Sequence, residues 1–162
     1  MMNEKEFLYF MDTHDFQYER IEHPPVFTCA EAEQHRPQRP TVSTKNLFLC
    51  DKKGRRFILV VTACEKTMNL ANLAEQIGVS SLRFGSEENL ERLLGVKRGA
   101  VTMMALVNDS AHQVELWMDS EIWKDQIFQS HPLVNTATLL LSWEALRRFF
   151  EVTGHSVNLL KT

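Results

Sequence analysis

The stretch Thr41-Val-Ser-Thr-Lys-Asn-Leu-Phe-Leu-Cys50 decides how the rest of this sequence is interpreted. A polar, turn-like lead-in ends at Lys45 and Asn46, and an apolar run begins at Leu47. This pattern predicts a strand whose entrance carries Lys45, with its alkyl stem held by the strand and its ammonium free to meet a ligand. A solvated lysine at the start of a strand is the simpler interpretation of this stretch taken alone. Motifs further along the chain favour the ligand-binding interpretation.

Composition limits the class of protein. A chain of 162 residues with 44% hydrophobic content can bury one full core, so we expect a single domain over residues 1–162. No stretch approaches the roughly 18 continuous apolar residues of a membrane span, and the N-terminal sequence lacks a secretory signal pattern. We therefore expect a cytoplasmic protein without a membrane partner. The net charge of -3 argues against a protein that wraps nucleic acid non-specifically.

Three cysteines, Cys29, Cys50 and Cys64, are an odd number and have no metal-like spacing. They are predicted to be reduced thiols, and no metal site is expected. Cys64 is a conceivable nucleophile with a distant histidine, but it follows a buried-looking strand. A free cysteine in such a place is usually inert packing.

Capping residues and apolar periodicity predict five helices. Thr28, Asn69, Ser86 and Ser142 are the N-cap candidates, and three of the helices end at glycine. The predicted ranges are 4–14, 28–35, 69–77, 87–94 and 143–153.

Strand patterns alternate with these helices. Leu47 to Cys50 and Phe57 to Thr62 flank a turn and predict a hairpin, whose second strand is apolar enough to be central. The other predicted strands are 18–22, 82–84, 100–107, 113–118, 139–141 and 157–160. The combination predicts an α/β domain with a mixed, curved, barrel-like β-sheet flanked by short helices.

Five motifs, taken together, resemble those of the YbaK and prolyl-tRNA-synthetase-associated editing domain family. Their order and spacing extend across nearly the whole chain, so the resemblance is more specific than any one motif. Within the family the sequence most resembles the free-standing prolyl-tRNA deacylases. The motifs are His23-Pro-Pro-Val-Phe27, Ser43-Thr-Lys-Asn-Leu-Phe48, Leu94-Gly-Val-Lys-Arg-Gly-Ala-Val101, Leu106-Val-Asn-Asp109 and His131-Pro-Leu-Val-Asn-Thr136.

The resemblance implies a hydrolase that supports translation fidelity by cleaving the ester of a mischarged proline tRNA. Alanine is the expected amino acid, with serine, threonine and cysteine as alternatives. Such an ester is labile, so catalysis needs mainly positioning and charge stabilisation. No cofactor is implied. The expected partners are the 3′ aminoacylated end of the tRNA and, transiently, an aminoacyl-tRNA synthetase, with the protein acting as a monomer.

Matching the family motifs to this sequence implies the site residues. The implied catalytic residues are Lys45, Gly99, Ala100 and His131, with backbone N–H groups of Gly99 and Ala100 polarising the carbonyl. The implied substrate-binding residues are Asn46, Val101, Thr102, Met103, Pro132 and Asn135. One departure is Met103, because members of this type commonly carry proline there, and this leaves the choice of substrate open.

Two other functions remain open from the residues alone. A non-catalytic member of the fold would bind aminoacyl-tRNA or a synthetase without cutting, and the missing loop proline favours it. A Schiff-base enzyme would use Lys45 as its nucleophile, which requires burial to lower the pKa of the amine. The presence of Lys45, Gly99 and His131 together favours the hydrolase.

Overall fold

A mixed eight-stranded sheet forms the centre of the fold in the computed structural model, which describes all 162 residues. The order along the main path is β1-β7-β6-β2-β3-β5-β8, and β4 pairs separately with β2. The strands are β1 (Glu19–Glu22), β2 (Val42–Asp51), β3 (Phe57–Ala63), β4 (Leu82–Phe84), β5 (Val114–Asp119), β6 (Ile127–Ser130), β7 (Ala137–Ser142) and β8 (Val157–Leu160). The predicted α/β fold with a mixed sheet is confirmed.

Five α-helices flank the sheet and agree with the predicted ranges to within one or two residues. They are α1 (Glu4–Thr13), α2 (Cys29–Glu33), α3 (Leu70–Ile77), α4 (Glu87–Leu94) and α5 (Trp143–Thr153). The predicted caps are present, with the Thr28 hydroxyl accepting from the Glu31 N–H and the Ser142 hydroxyl accepting from the Ala145 N–H. Side chains that accept from the first turn fix where each helix begins. No helix has the length and apolar character needed to cross a membrane.

β3 is buried along its whole length and lies between β2 and β5. Its side chains alternate between two cores, with Leu59 and Val61 in the larger one and Ile58 and Val60 in the smaller one. Because a strand covered on both faces needs apolar residues at every position, its continuous apolar run is explained. The predicted hairpin and the central position of this strand are confirmed.

Two local predictions were wrong, and one strand was missed. Lys45 lies within β2 and not at its entrance, because Val42 and Ser43 already pair with β6. The segment 100–107 is not a strand: Met103–Asn108 is a 3₁₀ helix, capped by the Thr102 hydroxyl, which accepts from the Met104 N–H. Its apolar residues are buried, and a short apolar run does not distinguish a strand from a buried helical segment. The short strand β6 was not predicted at all.

A disulfide joins Cys29 and Cys64, with their Cα atoms 5.7 Å apart. The expectation of three reduced thiols is therefore wrong for this pair and holds only for Cys50, which is free and buried. The two cysteines are 35 residues apart in the chain, so no local spacing connects them. The tertiary fold brings them together, since α2 packs against β2 and Cys64 directly follows β3, the partner of β2.

Candidate active site

A cavity of about 560 Å³ lies beside the middle of β2. On the edge away from β3, this strand pairs with β6 at Val42 and Ser43 and with β4 from Leu49 onwards. No strand pairs with that edge between these two points. The segment Thr44–Phe48 lines the cavity there. The cavity is therefore placed by an interruption in strand pairing.

Two cations and no acidic side chain line this cavity. Lys45 is half-buried, Arg98 is exposed, and neither takes part in an ion pair. Most of the other lining residues are hydrophobic. The cavity is thus locally positive within a chain of net charge -3, which suits an anionic group on an otherwise apolar ligand.

Asn46, the neighbour of Lys45, also lines the cavity. Its side-chain oxygen Oδ1 is buried and receives no hydrogen bond within the protein. Because an unpaired buried acceptor is costly, a hydrogen-bond donor on a ligand would be favoured at this point.

His131 also lines the cavity and directly follows β6. Its Nδ1 lies 2.9 Å from the carbonyl oxygen of Ala137, which can only accept, so Nδ1 carries the proton and Nε2 keeps a lone pair. Burial lowers the pKa of His131 below its ordinary value, while the Ala137 carbonyl opposes this shift and His23 adds to it. The imidazole is therefore neutral near pH 7 and can accept a proton.

The loop before the 3₁₀ helix contributes Arg98, Gly99 and Val101 to the cavity. Gly99 has φ +93°, a backbone conformation that residues with a side chain rarely adopt. A Cβ at this residue would lie 3.2 Å from the ring of Phe27. The Gly99 N–H makes no hydrogen bond to the protein, whereas the Ala100 N–H donates to the Lys97 carbonyl at 3.0 Å. The Ala100 donor is therefore used within the turn, and the catalytic role predicted for Ala100 stays a prediction.

Four of the predicted substrate-binding residues do not line the cavity: Thr102, Met103, Pro132 and Asn135. Met103 is fully buried in the larger core. The residue that replaces the family's common proline therefore packs inside the protein and is not part of the cavity surface. Thr102 is also fully buried and donates to the His131 carbonyl at 2.7 Å, which fixes the histidine's backbone. Pro132 is buried beside it.

Asn135 holds the other wall of the cavity without lining it. Its Nδ2 donates to the Val26 carbonyl at 3.1 Å, and the Val26 N–H donates to the Asn135 carbonyl at 3.1 Å. These bonds fix the segment that leads into α2. Asn135 thus positions the wall through its Nδ2, and the substrate contact predicted for it stays a prediction.

Two exposed aromatic rings at the cavity were not predicted as site residues. Phe27 is 69% exposed and Phe84 is 61% exposed, although large apolar side chains usually avoid water. Phe27 lies against Gly99, and Phe84 ends β4. Only the fold shows that these two rings border the same cavity, because they are far apart in the sequence.

Residues 23–149 match the family described as "Aminoacyl-tRNA editing domain". The "Prolyl-tRNA editing protein ProX" of Acetoanaerobium sticklandii is 34% identical over 146 residues, which cover 90% of this chain and 89% of that protein. The "Prolyl-tRNA synthetase associated domain-containing protein 1" of Danio rerio is 38% identical over 138 residues, covering 84% of this chain and 74% of that protein.

Solved structures share the fold. A candidate trans-editing enzyme for prolyl-tRNA synthetase superposes with a TM-score of 0.72 at 18% identity, covering 100% of this chain and 99% of that one. A protein described as hypothetical superposes with a TM-score of 0.70 at 21% identity, covering 96% and 97% of the two chains. At these identities the likeness concerns the fold alone, whereas the sequence matches extend over most of the chain. The chain belongs to the aminoacyl-tRNA editing domain family.

Proposed function

We propose that this protein, acting as one editing domain over residues 1–162, hydrolyses the ester that joins alanine to the 3′ end of a mischarged proline tRNA. It would act in trans, on tRNA that a prolyl-tRNA synthetase has released. The observation that carries the proposal is the cavity beside β2, which combines an unpaired Lys45, a free Gly99 N–H and the neutral His131. The name of the Acetoanaerobium sticklandii relative supports proline tRNA as the substrate.

Lys45 and the Gly99 N–H supply the charge stabilisation. As water attacks the ester carbonyl, negative charge develops on the carbonyl oxygen, and a fixed N–H donor and a nearby ammonium stabilise it. The left-handed turn at Gly99 lets the substrate approach the backbone closely. Arg98, at the exposed side of the cavity, is placed to bind the terminal phosphate.

His131 handles the proton in this proposal. Its Nε2 lone pair accepts a proton from the attacking water as the carbon–oxygen bond forms, and returns it to the departing ribose oxygen. The products are the free amino acid and tRNA with an intact terminal hydroxyl. A ribose hydroxyl beside the ester is an alternative proton acceptor, and it would make His131 an orienting group.

The remaining cavity residues suit the rest of the aminoacylated adenosine. Asn46 Oδ1 accepts a hydrogen bond from the amino group of the amino acid, which satisfies its unpaired oxygen. Phe84 offers an exposed face for the terminal adenine, since stacking on aromatic rings binds single-stranded bases. Phe27, packed on Gly99, covers the reacting end.

A non-catalytic role in binding aminoacyl-tRNA is the second candidate. The observation that favours it is the Ala100 N–H, whose bond to Lys97 leaves only one backbone donor of the expected pair for the carbonyl. A binder would protect the ester where an enzyme cleaves it.

A substrate panel separates these functions. Proline tRNAs charged with alanine, serine, threonine, cysteine or proline are incubated with the protein, and release of each amino acid is followed over time. We expect release of alanine and sparing of proline, because a pocket shaped for a small side chain excludes the larger ring sterically. Equal release of proline contradicts the editing assignment, and slower loss of alanine than in buffer indicates the binder.

Replacing Lys45 tests the electrostatic role. We expect Lys45→Ala to lower kcat/KM for alanyl-tRNA by on the order of 100-fold or more, because a contact to developing charge is lost. Lys52→Ala is the matched control, since Lys52 is exposed in the turn that follows β2 and lies outside the cavity. Near-normal deacylation by folded Lys45→Ala rules out the proposed mechanism.

The protonation of His131 can be measured directly. Because burial lowers its pKa, the unfolded chain binds a proton at this residue more readily than the folded protein does. The contribution of His131 to the free energy of unfolding should therefore fall as the pH decreases from about 6.5 toward the lowered pKa, and His131→Gln should remove this contribution. NMR titration of the imidazole should give a pKa below about 6.5. A value above it contradicts the neutral His131.

A further inference from the structure

The disulfide between Cys29 and Cys64 lies in the wall of the cavity, and both cysteines line it. Each residue is half-buried and faces the cavity rather than the closed core. Disulfides that occur in reducing compartments are usually transient and serve catalysis or redox sensing. Cys50, the third cysteine, is fully buried and unpaired, so it is separate from this pair.

The two ends of the disulfide are held with different strength. Cys64 directly follows β3, and its N–H donates to the Ser43 carbonyl at 2.9 Å, two residues before Lys45. Cys29 begins α2, a helix of five residues with no buried side chain. The disulfide therefore attaches a weakly packed element to the rigid strand pair that carries Lys45.

Without the disulfide, few interactions would hold α2 in place. On its N-terminal side the Val26–Asn135 bonds hold the chain, and on its C-terminal side Arg36 donates to the Thr41 carbonyl at 3.0 Å. The helix itself lies against β2 but buries no side chain there. Elements with few buried contacts open at low free-energy cost, so α2 is the part of the cavity wall most sensitive to loss of a tether.

We propose that the Cys29–Cys64 pair is a reversible redox modification site that sets how tightly the cavity binds the aminoacylated end. The oxidised pair fixes α2 and with it Phe27, whose ring lies on Gly99. The reduced pair releases them. Reduction leaves in place the β2–β3 pairing that holds Lys45 and the Thr102 hydrogen bond that holds His131, so it changes binding and leaves the chemical step intact. The effect on substrate rests on the proposed function, whereas the effect on α2 does not.

The chemistry is thiol–disulfide exchange. A thiolate of a dithiol reductant attacks one sulfur of the pair to form a mixed disulfide, and its second thiol then displaces the other cysteine. The protein gains two thiols, and the reductant becomes a cyclic disulfide. A small-molecule disulfide such as oxidised glutathione reverses the change through the same intermediate.

The first test uses the protein alone. One set of samples is equilibrated in glutathione buffers of varied redox ratio, and a separate sample is fully reduced with dithiothreitol. Thiol titration after denaturation should give one thiol per chain in the oxidised form, from Cys50, and three in the reduced form. Hydrogen exchange of the α2 amides should quicken on reduction, while β3 stays protected. Three thiols at every ratio, or unchanged exchange in α2, overturns the proposal regardless of enzyme activity.

The second test measures deacylation of alanyl-tRNA in both redox states. Reduction should raise KM by about 3- to 10-fold, the scale expected for losing pre-organised contacts, with kcat within about twofold. Cys29→Ser and Cys64→Ser should show, in either buffer, the higher KM of the protein whose disulfide is reduced. Cys50→Ala, the matched control outside the cavity, should retain the redox response. Equal KM in both states, or a redox response that persists in Cys29→Ser, contradicts the proposed site.

Discussion

The interrupted pairing of β2 is the constraint on which the site depends. This strand has a partner along most of one side, because β3 pairs with it from Thr44 to Cys50. On its other side the pairing with β6 ends at Ser43 of β2, and the pairing with β4 begins at Leu49 of β2. A strand held at both ends of one edge and along most of the other is rigid, yet its middle is open to a ligand. Lys45 and Asn46 stand at that opening, and binding sites benefit from groups placed on such rigid elements.

The remaining walls are held by contacts between distant parts of the chain. Thr102 fixes the backbone of His131, and Asn135 fixes Val26. His23 reinforces this connection, since its N–H donates to the Thr136 carbonyl and its Nε2 accepts from the Thr138 hydroxyl at 2.8 Å. Several residues of the family motifs therefore act by positioning the groups that line the cavity.

Local chemistry explains which parts of the fold could be predicted from the sequence. The helices were predictable because residues such as Thr28 and Ser142 cap them through hydrogen bonds three residues away. The 3₁₀ helix at Met103 was not, because burial on all sides removes the periodicity that separates helix from strand. The Cys29–Cys64 pair and the cavity position of Phe84 depend on tertiary packing, which no spacing in the sequence reveals.

The proposed function requires the aminoacylated adenosine to occupy the cavity beside β2 with its carbonyl at Gly99. A crystal structure with a non-hydrolysable analogue, in which an amide replaces the ester between alanine and the 3′ position of adenosine, tests this most directly. We expect the amide oxygen within hydrogen-bond distance of the Gly99 N–H, the amino group at Asn46 Oδ1 and the adenine against Phe84. An analogue bound outside this cavity, or bound in it with the carbonyl away from both Gly99 and Lys45, would contradict the account.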